Sequence, residues 1–224
     1  MKIKTNVDIP TVDDIIKLLE KCACRIGRHE LLSDIFACSA ICISNRVDKA
    51  HFKEREDMYL RIIRKYDEPD RMLIADAFAM IYILLASQIE HGFNDYLGEL
   101  YMKSDTQNAK AGQFFTPYHA SKTCAEMTID GALVKEHAEN NKILILHEPA
   151  CGSGGMIIAA ADILHNRYHF NYVRNLFVEC GDIDARCVHM TYLQLSLAGI
   201  PAVVYQRDAL SMQTWARWET PAYI

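Results

Sequence analysis

Residues Ile143-Leu-Ile-Leu-His-Glu-Pro-Ala-Cys-Gly-Ser-Gly-Gly-Met156 combine a short apolar run, an acid and a glycine-rich turn. The run from Ile143 to Leu146 has the length of a buried strand, and an alanine-rich helical segment extends from Met156 towards Leu164. Glycine at the junction permits positive φ and a close approach of the backbone, and the amides at the helix start face outwards. This order predicts a cofactor-binding turn, although three glycines also suit a plain connection.

The spacing of these glycines argues against two common phosphate-binding loops. Gly152, Gly154 and Gly155 fit neither G-x-G-x-x-G nor G-x-x-x-x-G-K-[ST]. Nicotinamide dinucleotides and nucleoside triphosphates are therefore not favoured as ligands.

Two motifs resemble those of a known family. Glu148-Pro-Ala-Cys-Gly-Ser-Gly-Gly155 resembles the (D/E)-P-A-C-G-(S/T)-G-G segment of N6-adenine DNA methyltransferases, particularly the methylation subunit of type I restriction-modification systems. Gly112-Gln-Phe-Phe-Thr-Pro117 is similar to the G-Q-(F/Y)-(F/Y)-T-P motif of that family, which helps to enclose S-adenosylmethionine. The resemblance implies transfer of a methyl group from S-adenosylmethionine to the N6 amino group of adenine in DNA. It also implies a Rossmann-like α/β fold with ligands at the carboxyl ends of parallel strands.

The resemblance also assigns residues to the cofactor site. Asp182 follows the second predicted strand (175–179) and matches an acid that binds ribose hydroxyls, whereas Asp184 is predicted to cap the next helix. Asp208 follows the third predicted strand (202–206) and matches an acid that contacts the adenine amino group, although it also suits the start of a turn. The predicted cofactor-binding residues are Gln113, Phe115, Thr116, Pro117, Glu148, Pro149, Ala150, Gly152, Gly154, Asp182 and Asp208.

The sequence departs from the family at the catalytic motif. Adenine methyltransferases use (N/D)-P-P-(F/Y), in which oxygen acceptors hold the target amine and an aromatic ring stacks on the flipped base. The nearest match is Thr220-Pro-Ala-Tyr223, so Thr220, Pro221 and Tyr223 are the candidate catalytic residues, and they leave the motif incomplete. The preceding residues 211–219 do not resemble the hydrophobic strand that is expected there.

Composition is that of a soluble globular protein. Of the 224 residues, 50% are hydrophobic and 24% are charged, and the formal net charge is -5, which is not typical of an autonomous DNA-binding protein. The longest apolar stretch, 72–86, is shorter than the roughly 20 residues of a membrane span, and no secretory signal opens the chain. We therefore predict a cytoplasmic protein. The most basic segment, 46–65, suits a solvated helix face more often than a phosphate contact.

The cysteine pattern favours buried thiols. The eight cysteines include no C-x-x-C pair and are scattered among helical segments, so neither a disulfide framework nor a metal site is predicted.

The first hundred residues have helical periodicity. Thr11-Val-Asp-Asp14 has the spacing of a capping box, and residues 67–70 read as a turn. Thr116 and Pro117 are predicted as the N-cap and first residue of a later helix. The predicted helices of the first half cover about 12–24, 30–44, 54–65 and 71–102, the last with a break near Gly92.

We therefore predict two domains. A helical N-terminal domain (1–103) precedes the N-terminal portion of a methyltransferase domain (104–224), with a polar loop at 104–111 between them. In the first domain, Asp95-Tyr-Leu-Gly-Glu-Leu-Tyr101 is similar to the D-x-L-G-x-(L/A)-Y segment of the same family. The α/β sheet is expected to be incomplete, with about three strands.

The incomplete sheet and motif leave other functions open. About three strands present an unpaired edge, which a partner chain, self-association or further C-terminal residues would cover. Expected partners are DNA, reached through a complex, and a specificity or other methylase subunit or a second copy of the chain. The missing N-P-P favours a catalytically degenerate methylase that acts as a cofactor-binding or protein-interaction module. A methyltransferase for another substrate is disfavoured by Gly112 to Pro117.

Overall fold

The first half of the chain is helical. The computed structural model describes residues 8–22, 26–104 and 115–224. In these ranges no helix is long and apolar enough to cross a membrane. The helices of this half are α1 (Val12–Leu19), α2 (Arg28–Val47), α3 (Phe52–Ile63), α4 (Glu68–Ala86), α5 (Gln88–His91) and α6 (Tyr96–Ser104).

Local signals placed most of these helices. The predicted capping box is confirmed, because the Thr11 side chain accepts from the Asp14 amide while the Asp14 carboxylate accepts from the Thr11 amide. Gly92 separates α5 from α6 with a φ of 116°. The turn predicted at 67–70 is wrong, since α4 begins at Glu68 and the proline that follows fits its first turn.

The second half alternates helices and strands, with a parallel core sheet. The strands run in the order β1-β2-β3-β4, and the first three are parallel whereas β4 is antiparallel to β3. A π-helical turn extends α9. The elements are α7 (Tyr118–Thr128), α8 (Gly131–Glu139), β1 (Leu144–Glu148), α9 (Gly155–Asp162), α10 (Tyr172–Asn175), β2 (Leu176–Asp182), α11 (Ala185–Leu197), β3 (Ala202–Arg207) and β4 (Thr214–Glu219).

The sheet has one strand more than the sequence predicted. The expectation of about three strands, with none over 211–219, is wrong because residues 214–219 form β4 along the free edge of β3. Its sequence, Thr-Trp-Ala-Arg-Trp-Glu, lacks a hydrophobic run. In the structure Trp218 is buried, whereas Trp215 is half exposed. An edge strand needs only one buried face, so its apolar signal is weak. The chain itself therefore covers the β3 edge.

The helices bury one face of the sheet. Leu146 of β1 packs against Ala159 of α9, and α11 packs along β2 and β3. On the opposite face Ile145 is 70% exposed. The helical half packs α2 against α11, and buried side chains from both halves form one hydrophobic cluster.

A buried arginine also joins the two halves. The Arg55 guanidinium on α3 donates to Asp48 (2.7 Å) and to Ser44, and it donates to the Arg217 carbonyl of β4 over 2.9 Å. The same group stacks 4.1 Å above the Trp218 ring. Arg55 therefore fixes the helical half to the edge strand.

Candidate functional site

The glycine turn links β1 to α9 in a conformation that glycine favours. Gly152 has a φ of 54°, and Gly154, the N-cap of α9, has a φ of 94°. The Glu148 carboxylate at the end of β1 accepts from the Ala150 amide over 3.1 Å. The Thr191 hydroxyl of α11 donates to the Gly152 carbonyl over 2.9 Å. The turn is therefore held from both sides, with Pro149 and Ala150 exposed at its rim.

Asp182 lies directly beside this turn. Its carboxylate accepts from the Gly152 amide (3.0 Å) and from the Asp184 amide (2.9 Å). A carboxylate has about four lone-pair sites, so Asp182 keeps acceptor capacity for a ligand hydroxyl. Asp184 accepts from the Arg186 amide over 2.8 Å, which confirms that it caps α11.

Phe115 approaches the turn from the second motif. A side chain added at Gly152 would place its Cβ 3.1 Å from the Phe115 ring, so the ring would have to move by a few tenths of an ångström. The Phe115 ring also makes an edge contact with Tyr101 of α6, at 5.4 Å between centroids. Gln113, the other residue predicted in this motif besides Thr116 and Pro117, lies outside the described residues.

The start of the helix after this motif differs from the prediction. α7 begins at Tyr118 with Pro117 as its N-cap, and no side chain of the described residues caps it, so the predicted N-cap role of Thr116 is wrong. Pro117 has extended torsions (φ -55°, ψ 137°), which displace the helix start by one residue. Thr116 is consequently exposed beside the site.

A cavity of about 290 Å³ lies between α6 and this segment. Polar and aromatic groups share its wall. Its polar and aromatic lining residues are Asn94, Asp95, Glu99, Phe115, Thr116 and Tyr118.

Asp208 occupies a different position from the acids at the turn. Its carboxylate accepts from the Leu210 amide (2.9 Å) and the Ser211 hydroxyl (2.8 Å), and these bonds lower its pKa. Asp208 therefore organises the turn between β3 and β4. The turn-forming alternative is present in the structure, and contact with an adenine ring stays a prediction.

The structure does not bring the candidate catalytic residues to this site. Thr220 is buried, and its hydroxyl donates to the Ile200 carbonyl (2.8 Å) and accepts from the Ala202 amide (2.9 Å). These partners precede or begin β3, so Thr220 lies roughly 17 Å from the carboxyl end of that strand at 3.4 Å per residue. Pro221 follows it, and Tyr223 packs its ring against Phe177 at the same end.

Sequence reasoning missed the residues that support the turn from behind. Ser153, Gln194 and Asp95 are buried and hydrogen bonded to one another. The family resemblance of the segment from Asp95 to Tyr101 is the one sequence signal for Asp95, but it does not predict which residues Asp95 contacts. In the part of the chain that the structure describes, no three His, Cys, Asp or Glu residues form a group that would hold a metal ion.

The fold and site together define a class of protein. An open α/β sheet with a glycine turn after its first strand and an acid after its second is the arrangement of a methyltransferase-like domain. The sequence model of one family, described as N-6 DNA methylase, matches residues 93–220, which is more than half of the chain. The chain belongs to this family of DNA-modifying methylases. A search of the curated proteins and a search of the solved structures each found no match to this chain.

Proposed function

We propose that this chain binds S-adenosylmethionine and contributes to methylation of the N6 amino group of adenine in DNA, in a type I-like restriction-modification complex in the cytoplasm. The observation that carries the proposal is the meeting of Gly152, Asp182 and Phe115 at the carboxyl ends of the first two strands. S-adenosylmethionine would supply an activated methyl group on a sulfonium centre.

The residues at the turn fit such a ligand. Gly152 and Gly154 allow the backbone torsions of the turn, and a side chain at Gly152 would crowd the Phe115 ring, with its Cβ 3.1 Å away. Asp182 would accept from the ribose hydroxyls with its remaining lone pairs. Phe115 would cover the bound cofactor, and Glu148 would supply a second acceptor at the end of β1. Thr116 and Pro117 would line the methionine end.

A calorimetric titration with S-adenosylmethionine tests the cofactor half of this proposal. We expect saturable binding near one ligand per chain. A heat signal no larger than that of S-adenosylmethionine dilution into buffer would contradict it.

Replacement of Asp182 by alanine is expected to weaken S-adenosylmethionine binding. Loss of a charged hydrogen bond costs about 1.5–3 kcal/mol, or roughly 10- to 150-fold in Kd. Asp184→Ala is the matched control, because this acid lies two residues further on and caps α11. The control should lose about 1 kcal/mol of stability and keep its affinity. Equal affinities for all three proteins would remove Asp182 from the site.

A second function is supported by the incomplete catalytic motif and by the position of its residues. The sequence contains no N-P-P, and Thr220 is a buried strand-end residue away from the turn. These observations favour a catalytically degenerate methylase. Such a protein would act as a cofactor-binding module or as a protein-interaction module.

Transfer of a labelled methyl group to adenine-containing DNA separates the two functions. The chain is assayed alone, at concentrations that favour self-association, and with a complete methylation or specificity subunit. Incorporation that requires both the chain and the subunit supports the methylase. Cofactor binding without incorporation in any mixture supports the degenerate module.

A further inference from the structure

One buried carboxylate connects the helical half to the glycine turn. Asp95 lies immediately before α6 and is 5% exposed. Its Oδ2 accepts from the Ser153 hydroxyl over 2.5 Å. Its Oδ1 accepts from the Gly98 amide (2.9 Å) and from the Gln194 side-chain amide (2.7 Å). Three segments, namely α6, the turn and α11, therefore converge on a single side chain.

These contacts act on the middle of the turn. Ser153 lies between Gly152 and Gly154, and the Gln194 amide also donates to the Ser153 carbonyl over 2.7 Å. A Cβ at Gly155 would lie 2.7 Å from the Asp95 carboxylate, so the backbone of α9 begins against this group. Displacement of the carboxylate would therefore release both the Ser153 side chain and its peptide.

A carboxylate suits this position better than an amide. Asp95 receives three donors, and an asparagine oxygen accepts fewer while its NH₂ group opposes one of them. Burial raises the pKa of Asp95, and the three donors counteract that shift without cancelling it. The titratable groups that act on it or are acted on by it are Glu99 and Tyr118. Within the described ranges Asp95 forms no salt bridge.

We propose that Asp95 is a positioning residue for the cofactor site, and that it acts through Ser153 to hold the glycine turn in the shape that receives the ligand. The inference rests on the proposed function. It makes the segment before α6 a working part of the site, although sequence reasoning assigned that segment to a separate helical domain.

The test compares Asp95→Asn with a buried carboxylate elsewhere. Asp34 of α2 is 7% exposed and accepts from Tyr66 and Lys65, away from the turn. We expect Asp95→Asn to weaken S-adenosylmethionine binding about tenfold, whereas Asp34→Asn lowers the unfolding temperature and keeps the wild-type Kd. Ser153→Ala should weaken binding in the same direction. The double variant Asp95→Asn/Ser153→Ala should lose less binding free energy than the sum of the two single losses, because both substitutions remove the same contact.

The pH dependence of Kd separates positioning from general destabilisation. The ionised carboxylate accepts all three donors, so wild-type affinity should fall as the pH falls through the raised pKa of Asp95. Asp95→Asn should lose this component of the pH profile, and Asp34→Asn should retain it. A Kd of Asp95→Asn equal to that of the wild type across the pH range would overturn the proposal.

Amide hydrogen exchange tests the inference without any ligand. Residues 151–155 should exchange faster in Asp95→Asn than in either the wild type or Asp34→Asn. If the wild type binds no S-adenosylmethionine, the proposed function fails, and exchange alone decides whether Asp95 holds the turn. Unchanged exchange at the turn would refute the positioning role.

Discussion

Arg55→Met is expected to lower the free energy of unfolding by about 3–5 kcal/mol, because removal of one partner leaves the other buried charge uncompensated. The partner is Asp48, which is 7% exposed and, among the described residues, would keep its bonds from His51. The substitution also removes the guanidinium from the Trp218 ring and from the Arg217 carbonyl. Urea denaturation at neutral pH measures the change.

The control and the pH dependence make this expectation specific. Arg61→Met alters an exposed arginine on the same helix and should stay within about 0.5 kcal/mol of the wild type. Burial acts to raise the pKa of Asp48, but bonds from His51 and Arg55 outweigh it, so the pKa is lowered. The stabilisation is therefore complete above the unfolded value of about 3.9 and disappears as the pH falls through the lower folded pKa. Equal losses of unfolding free energy in Arg55→Met and Arg61→Met would contradict a buried ion pair between Arg55 and Asp48.

Gly154→Val is expected to weaken S-adenosylmethionine binding about a thousandfold. A β-branched residue is strongly disfavoured at a φ of 94°, and its Cβ would lie 3.2 Å from the Thr191 hydroxyl and 3.4 Å from the Thr191 Cα. Backbone strain and overpacking cost about 4 kcal/mol together. The turn must change its conformation to relieve them. Calorimetry on the folded variant measures the loss.

Gly27→Val is the matched control for this substitution. Gly27 is the N-cap of α2 with a φ of -61°, and no atom of the described residues lies within 4 Å of the position a Cβ would take. Its affinity should equal that of the wild type. If Gly154→Val binds equally well while folded, the glycine turn is only a connection between β1 and α9.

The features that sequence predicted are those that neighbouring residues determine. The Thr11 capping box and the Asp184 cap depend on contacts within a few positions, and the structure contains both. The glycines mark the position of the turn, although its contacts with Asp182 and Thr191 are distant in sequence. The parallel strands were also visible, because central strands carry continuous apolar runs. Gly199 follows the end of α11 with a φ of 69°, a left-handed conformation that glycine adopts readily at a helix C-terminus.

The features that sequence missed depend on distant partners. β4 exists because Trp218 packs against His189 and Tyr192 of α11, and no local pattern specifies that contact. Asp95 meets Gln194 across 99 positions of the chain. Its polar side chain gives no apolar signal at all. Such residues become visible only once the helices have been placed against the sheet.

The strand order also bears on how the protein is assembled during synthesis. Each strand pairs with the next strand along the chain, in the spatial order β1-β2-β3-β4. A ribosome delivers the strands in that same order, so each new strand finds its template already displayed and closes a loop of modest length. The antiparallel β4 follows β3 along the chain and covers the β3 edge as soon as both strands have formed. The β3 edge is therefore exposed only briefly to other nascent chains.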